Sequence, residues 1–241
     1  MEGLVLNVSP SACQGEGAEH PLGGGVPLVP TPDRGYNAAS LEAQIVTGPE
    51  RTQLFSGRDL TGWQHVGPGG FTIENGCLRT HGGMGLLWYA EDTFGDCVLR
   101  VVYRTSKDTD NSGVFIRIAD RPPDPWFAVH HGYEVQILAT GDDWHRTGDI
   151  YSMSRGEARA QKAPGEWNVM DIALDGEVVR VELNGVRLTE FDPRQPLPPR
   201  QKDYEPERGP RPTRGYIGLQ NHDEGSVVYF REVSVAPLRR P

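Results

Sequence analysis

Cysteine is scarce in this chain: Cys13, Cys77 and Cys97 are the only three in 241 residues. An odd number without metal-ligand spacing implies neither a zinc site nor a dense disulfide framework. One Cys77–Cys97 bridge between neighbouring strands is compatible with the spacing, but free, partly buried thiols are the expectation. Positive charge is also short, with 24 Lys and Arg against 33 Asp and Glu, a formal net charge of -9 and a pI near 5.3. That balance argues against a surface that tracks nucleic-acid phosphates and favours a neutral ligand. No apolar run approaches the roughly 20 residues that span a bilayer. Glu2 stands where a secretory leader carries positive charge, and Leu4–Val8 is too short for a leader core. The expectation is a soluble, cytoplasmic protein, with secretion left open by a leader already removed. Helical periodicity of core length is missing too, leaving only Leu41–Ile45 and Arg155–Gln161 as candidate single turns.

What is abundant is turn chemistry, with 30 glycines and 20 prolines around a 37% hydrophobic content. The length suits one sizeable all-β domain plus irregular segments. Residues 1–50, with Gly23–Gly25 and the prolines from Pro21 to Pro32, read as an irregular N-terminal extension, and residues 51–241 as the domain. From Leu54 onward short β-prone runs alternate with turns, the pattern of a sandwich or barrel. Asn75-Gly76, Asp175-Gly176 and Asn184-Gly185 are hairpin signals. The stretch from Ala119 to His131 reads as an insertion, and the proline-rich stretch from Pro193 to Pro212 as a long surface loop that covers an opening. Trp63, Trp88 and Trp167 are expected in the core.

The chain is organised around Gly132–Leu138, where Glu134 and Gln136 share one strand face and Tyr133, Val135 and Ile137 the other. Two more strands repeat the device. Alternation over Asn111–Arg117 sets Asn111, Gly113, Phe115 and Arg117 against Ser112, Val114 and Ile116. Over Tyr216–His222 it sets Tyr216, Gly218, Gln220 and His222 against Ile217, Leu219 and Asn221. Gly148–Tyr151 adds Asp149 and Tyr151 on a common face. Three strands that each end one face in hydrogen-bonding groups imply one shared polar surface. Each residue also has a plainer reading. Arg117 and Glu134 can form a cross-strand ion pair, His222 can be a turn residue beside Asp223, and Trp126, Phe127 and Trp144 can pin loops instead of capping a sugar.

The ordered motifs Leu54–Trp63, Asn111–Arg117, Gly132–Leu138, Gly165–Asn168, Leu183–Gly185, Gly215–His222 and Phe230-Arg231 resemble the 3-keto-disaccharide hydrolase family, formerly a domain of unknown function, from about Gln53 to Leu238. The resemblance implies a concanavalin A-like jelly roll of two antiparallel sheets with a concave carbohydrate-binding face. It also implies hydrolysis of glycosides already oxidised to a ketone at C3. That ketone acidifies the C2 proton and places the glycosidic oxygen β to the carbonyl, so base-led elimination releases the aglycone and water adds back. The site then needs a base, donors for the enolate oxygen and an acid for the leaving group.

Glu134 and His222 are the candidate bases, Arg117 an orienting or oxyanion-stabilising group, and Tyr151 and Asp149 the candidate proton donors. Substrate-binding candidates are Asn111, Gln136, Gln220, Asn221, Trp126, His131 and Trp144. A divalent cation is an alternative enolate stabiliser, with Glu134, His222 and Asp149 as ligand types, although no spacing demands it. No Gly-x-Gly-x-x-Gly follows a strand, so the ketone would come from a separate dehydrogenase. Two rivals stand beside this reading. An ordinary glycosidase needs two carboxylates flanking the bond, and Glu134–Leu138 carries one. A non-catalytic carbohydrate-binding module would keep the amides and aromatics without the acid-base groups.

Overall fold

The computed structural model describes residues 51–238. The N-terminal extension and the candidate turn at Leu41–Ile45 lie outside the described residues. Thirteen strands and one helix follow in the order β1 (Thr52–Phe55), β2 (Trp63–Val66), β3 (Gly70–Glu74), β4 (Cys77–His81), β5 (Gly85–Tyr89), β6 (Cys97–Thr105), β7 (Ser112–Ile118), α1 (Pro125–His131), β8 (Tyr133–Ile137), β9 (Asn168–Asp175), β10 (Val178–Leu183), β11 (Val186–Phe191), β12 (Tyr216–Asn221) and β13 (Val228–Pro237).

They form two antiparallel sheets. The larger runs β11-β10-β9-β6-β13-β4-β3, with β1 also paired to β13, and the smaller runs β2-β5-β12-β7-β8. The sheets stack through the inward sides of alternating strands. Leu99, Val101, Tyr103, Met170, Ile172 and Val233 of the larger sheet meet Leu87, Val114, Ile116, Val135, Ile137, Ile217 and Leu219 of the smaller, all in one buried cluster. This is the expected all-β jelly-roll sandwich. The Asn-Gly hairpins close as read, with Asn75 and Gly76 at φ 49° and 75° and Asn184 and Gly185 at 53° and 80°. Asn and Gly tolerate that left-handed backbone at little cost.

Several local expectations need correction. Residues 125–131 of the supposed insertion are helical: Asp124 caps α1 by accepting from the Phe127 N–H at 3.0 Å, and Pro125 stands at the first turn. Arg155–Gln161 forms no helical turn. Trp63 and Trp88 are buried, but Trp167 is only half-buried, held between Arg104 and Arg231, whose guanidinium carbons lie 5.0 and 4.6 Å from its ring. Cys77 and Cys97 are buried and form no disulfide.

Two faces of the smaller sheet therefore have different fates. One meets the main core. Over the other lies α1, whose Ala128 and Val129 pack with Leu86, Trp88, Phe115 and Ile118 in a second apolar cluster. The part of that face left open by α1 carries the polar strand residues.

Candidate functional site

The open end of this face is the floor of a cavity of about 430 Å3. Glu134 and Gln136 from β8, Asn111 from the entry to β7, Gln220 from β12 and His222 just after it line the cavity. Strand alternation places them there, because Val114, Val135, Ile137, Ile217 and Leu219 on the reverse side anchor the same strands in the core. α1 supplies Trp126 and Val129 at one side. Two segments outside the strands complete the walls: Asp142 and His145 from the loop after β8, and Gln201, Lys202, Tyr204 and Glu205 from the proline-rich segment between β11 and β12. The latter forms a strap along the cavity wall.

Glu134 is the electrostatic centre of the floor. It is 7% exposed, and its carboxyl lies over Gly113 of the neighbouring strand, where a Cβ would come within 2.6 Å of its Cγ. Burial pushes its pKa up to about 8, against a smaller opposing contribution from a Gln220 hydrogen bond. Glu134 thus holds a proton at neutral pH. Beside it, the Tyr151 N–H donates to the Glu134 carbonyl at 2.9 Å, so residues 148–151 extend the sheet along β8 and bring Tyr151 to the cavity wall. Burial, with the nearby Glu134 and Tyr204, raises the Tyr151 pKa and keeps its hydroxyl a donor.

The amides are pre-arranged. Gln136 Nε2 donates to Asn111 Oδ1 at 2.7 Å and to the Ser112 carbonyl at 3.2 Å. Gln220 is 3% exposed, and its Oε1 is a buried acceptor with no partner. An unpaired buried acceptor is costly, and a ligand hydroxyl would satisfy it. His222 Nδ1 pairs with Asp223 Oδ2 at 2.7 Å, and Asp223 also accepts from Ser226 Oγ and the Gly225 N–H. Burial raises the Asp223 pKa, but these hydrogen bonds outweigh it and the net shift is downward.

The strap carries a second carboxylate. Glu205 Oε2 accepts from Ser152 Oγ, the Gln201 N–H and Arg208 Nη2, each at 3.0 Å. Burial pushes its pKa up, but those three donors together hold it below the usual range. Glu134 and Glu205 thus line one cavity with their pKa values pushed in opposite directions. His145 Nδ1 pairs with Asp142, and the imidazole centroid lies 5.0 Å from the Tyr151 ring.

Five sequence candidates fall elsewhere. Arg117 adopts φ 52°, where the β7–β12 register shifts, and this bulge breaks the alternation that would have aimed it at the polar face. Its guanidinium instead reaches the carbonyls of Pro212, at 3.3 Å, and Gly176. It forms no ion pair with Glu134. Asp149 accepts from the Arg146 and Gly156 N–H groups at 2.8 and 2.7 Å and lines a separate depression with Arg155 and Arg159. Asn221 faces the other way from Gln220, its Nδ2 donating to the carbonyls of His81 and Gly82. His131 is exposed against Phe127, and Trp144 lines two neighbouring hollows, one of which shares Asp142, His145, Gln201 and Glu205 with the cavity. Glu134, His222 and Asp149 do not converge: no three His, Cys, Asp or Glu side chains among the described residues are grouped to hold a metal ion. These three candidates do not fit a metal centre.

Sequence reading passed over Asp142, His145, Tyr204 and Glu205. The one local signal was the Asp142–His145 pair three residues apart within a turn. Among the described residues no helix is long and apolar enough to cross a membrane.

Comparison with known proteins agrees with this architecture. A candidate glycosyl hydrolase from Parabacteroides distasonis is 24% identical with a TM-score of 0.64, covering 79% of this chain and 100% of the other. A second from that organism is 25% identical at TM-score 0.57, covering 78% and 84%. A Bacillus subtilis protein of unknown function with a galectin-like fold is 16% identical at TM-score 0.58, covering 79% and 96%. No curated protein sequence matches the chain. The family model of the 3-keto-alpha-glucoside-1,2-lyase-like domain matches residues 50–236, most of the sequence, and the chain belongs to that family.

Proposed function

We propose that the protein cleaves the glycosidic bond of a 3-keto-glycoside by removing the C2 proton, eliminating the aglycone from C1 and adding water to the resulting enone. The observation that carries this reading is that a buried Glu134, whose pKa burial pushes up, and Tyr151 line one sugar-sized cavity. Chemistry α to a ketone needs donors where enolate charge develops, and a carboxylic acid kept neutral at neutral pH is such a donor. Glu134 and Tyr151 hydrogen-bond the ketone oxygen as it becomes an enolate.

His222, oriented through Nδ1 by Asp223, takes the C2 proton. Gln220 Oε1 and Asn111 hold ring hydroxyls. Trp126, 49% exposed at the rim, offers a face to the sugar. The ligand is a carbohydrate, and the ketone comes from a separate dehydrogenation. In domain terms, residues 51–241 carry this activity.

Glu205 supports a second reading, because a protonated and an ionised carboxyl in one cavity also suit direct glycoside hydrolysis. Against it, Glu205 Oε2 is already occupied by three donors. The deciding experiment is to incubate the protein with a glucoside and with its 3-keto form and follow aglycone release. Release from the 3-keto form alone is expected. Release from the unoxidised glucoside would favour the glycosidase, and sugar binding without release from either would leave a binding module.

A further inference from the structure

We propose that the His145–Asp142 pair is the acid that protonates the departing glycosidic oxygen, and the base that then activates the incoming water. The inference rests on the elimination reading above, which assigns the C2 proton and the enolate oxygen but leaves the leaving-group proton without a carrier. His145 lines the same cavity as Glu134, Tyr151 and His222, but it stands on the loop wall instead of the strand floor. Its position is fixed on several sides. The His145 N–H donates to the Asp142 carbonyl at 3.1 Å, Nδ1 pairs with the Asp142 carboxylate, and the Tyr151 ring lies 5.0 Å away.

The loop itself is tied down. The Thr147 N–H donates to the Leu138 carbonyl, Thr147 Oγ1 accepts from the Leu138 N–H at 2.8 Å, and Arg146 Nε donates to the Gly141 carbonyl at 2.8 Å. With Nδ1 committed to Asp142, Nε2 is the nitrogen left for a ligand. A carboxylate on Nδ1 orients the ring, as an acid-base histidine requires.

The steps balance. His222 takes the C2 proton, and the C2–H electron pair moves into C2=C3 with charge on the C3 oxygen. Collapse of the enolate forms C1=C2 and breaks C1–O, and the aglycone oxygen leaves with the proton from His145 Nε2. The neutral His145 then accepts a proton from water as its oxygen bonds C1, and His222 returns its proton to C2. The net reaction consumes one water and yields the 3-keto sugar and free aglycone.

Loss of an acid on the leaving group has a specific signature, because a nitrophenolate departs without protonation whereas an alkoxide does not. In His145→Gln, single-turnover release of nitrophenolate from a nitrophenyl 3-keto-glucoside is expected to stay within about threefold of wild type, while single-turnover release of methanol from the methyl 3-keto-glucoside falls by about 10² to 10⁴. Asp142→Asn leaves the imidazole in place and is expected to reproduce the selectivity in weaker form. It serves as the test variant if His145→Gln fails to fold. Equal losses on the two substrates, or no loss on either, would overturn the assignment while leaving the elimination reading intact. Wild-type protein that releases neither aglycone would overturn both.

Discussion

At the scale of single residues, Glu134 trades stability for chemistry. Its pKa of about 8 in the folded chain lies above the ordinary value of 4.5, so the folded state binds the extra proton. Stability from this group is therefore undiminished below pH 4.5 and declines as pH rises towards 8, because the unfolded carboxyl ionises first. Glu134→Gln removes that cost while keeping the shape. Thermal unfolding should show no gain near pH 4 and a gain of roughly 2 to 5 kcal/mol above pH 8.

The same variant should lose activity, by about 10- to 1000-fold. In wild type, kcat/KM should fall as pH rises through about 8, because Glu134 works as a donor, and that limb should vanish in the variant. An activity that instead rises through pH 8 would make Glu134 the base. Gly113 gives a second handle. A methyl group there would collide with the Glu134 side chain, at 2.6 Å from Cγ, so Gly113→Ala should cost most of the activity while circular dichroism stays β-sheet.

At the scale of elements, the strands were readable and the segments between them were not. Alternation in β8 identifies Glu134 and Gln136 because Tyr133, Val135 and Ile137 have an apolar face to satisfy. The same logic fails for Arg117, since a positive φ at a non-glycine residue leaves no trace in the sequence. α1 had a local signature in Asp124-Pro125, outweighed in reading by the surrounding prolines. The strap had none, because long-range hydrogen bonds set its path. Arg208 donates to the Pro198, Pro206 and Ser152 carbonyls and to Glu205. Arg211 donates to the His130 and Gly132 carbonyls at the end of α1.

Arg208→Ala should therefore loosen the strap without unfolding the sandwich. Hydrogen exchange should quicken over residues 193–212 and stay unchanged in β9, with KM raised several-fold because Gln201, Lys202, Tyr204 and Glu205 leave the cavity wall. Unchanged strap exchange would show that its prolines alone hold the path.

At the scale of the whole molecule, the fold class followed from composition and turn spacing, while the way the site is supported depends on contacts between distant parts. Arg117 is the clearest case. It is 1% exposed and springs from β7 of the smaller sheet. One guanidinium nitrogen meets the Gly176 carbonyl at the β9–β10 turn of the larger sheet, and another meets the Pro212 carbonyl at the foot of the strap. Two other parts of the chain, 59 and 95 residues further along the sequence, meet on this one side chain. Truncation would leave two carbonyls short of a donor and a cavity where the guanidinium lay, each costly in a buried place.

Arg117→Ala should lose roughly 2 to 4 kcal/mol, lowering Tm by about 5 to 15 °C at this domain size. Arg117→Lys should recover only part of the loss, because one ammonium cannot match the planar fork to both carbonyls. Since the guanidinium does not line the cavity of Glu134, activity per folded molecule, assayed well below the lowered Tm, should stay within a few-fold of wild type. A variant with unchanged Tm and abolished turnover would place Arg117 in the reaction itself and undo the division drawn here between the groups that act on the sugar and the group that holds sheets and strap together.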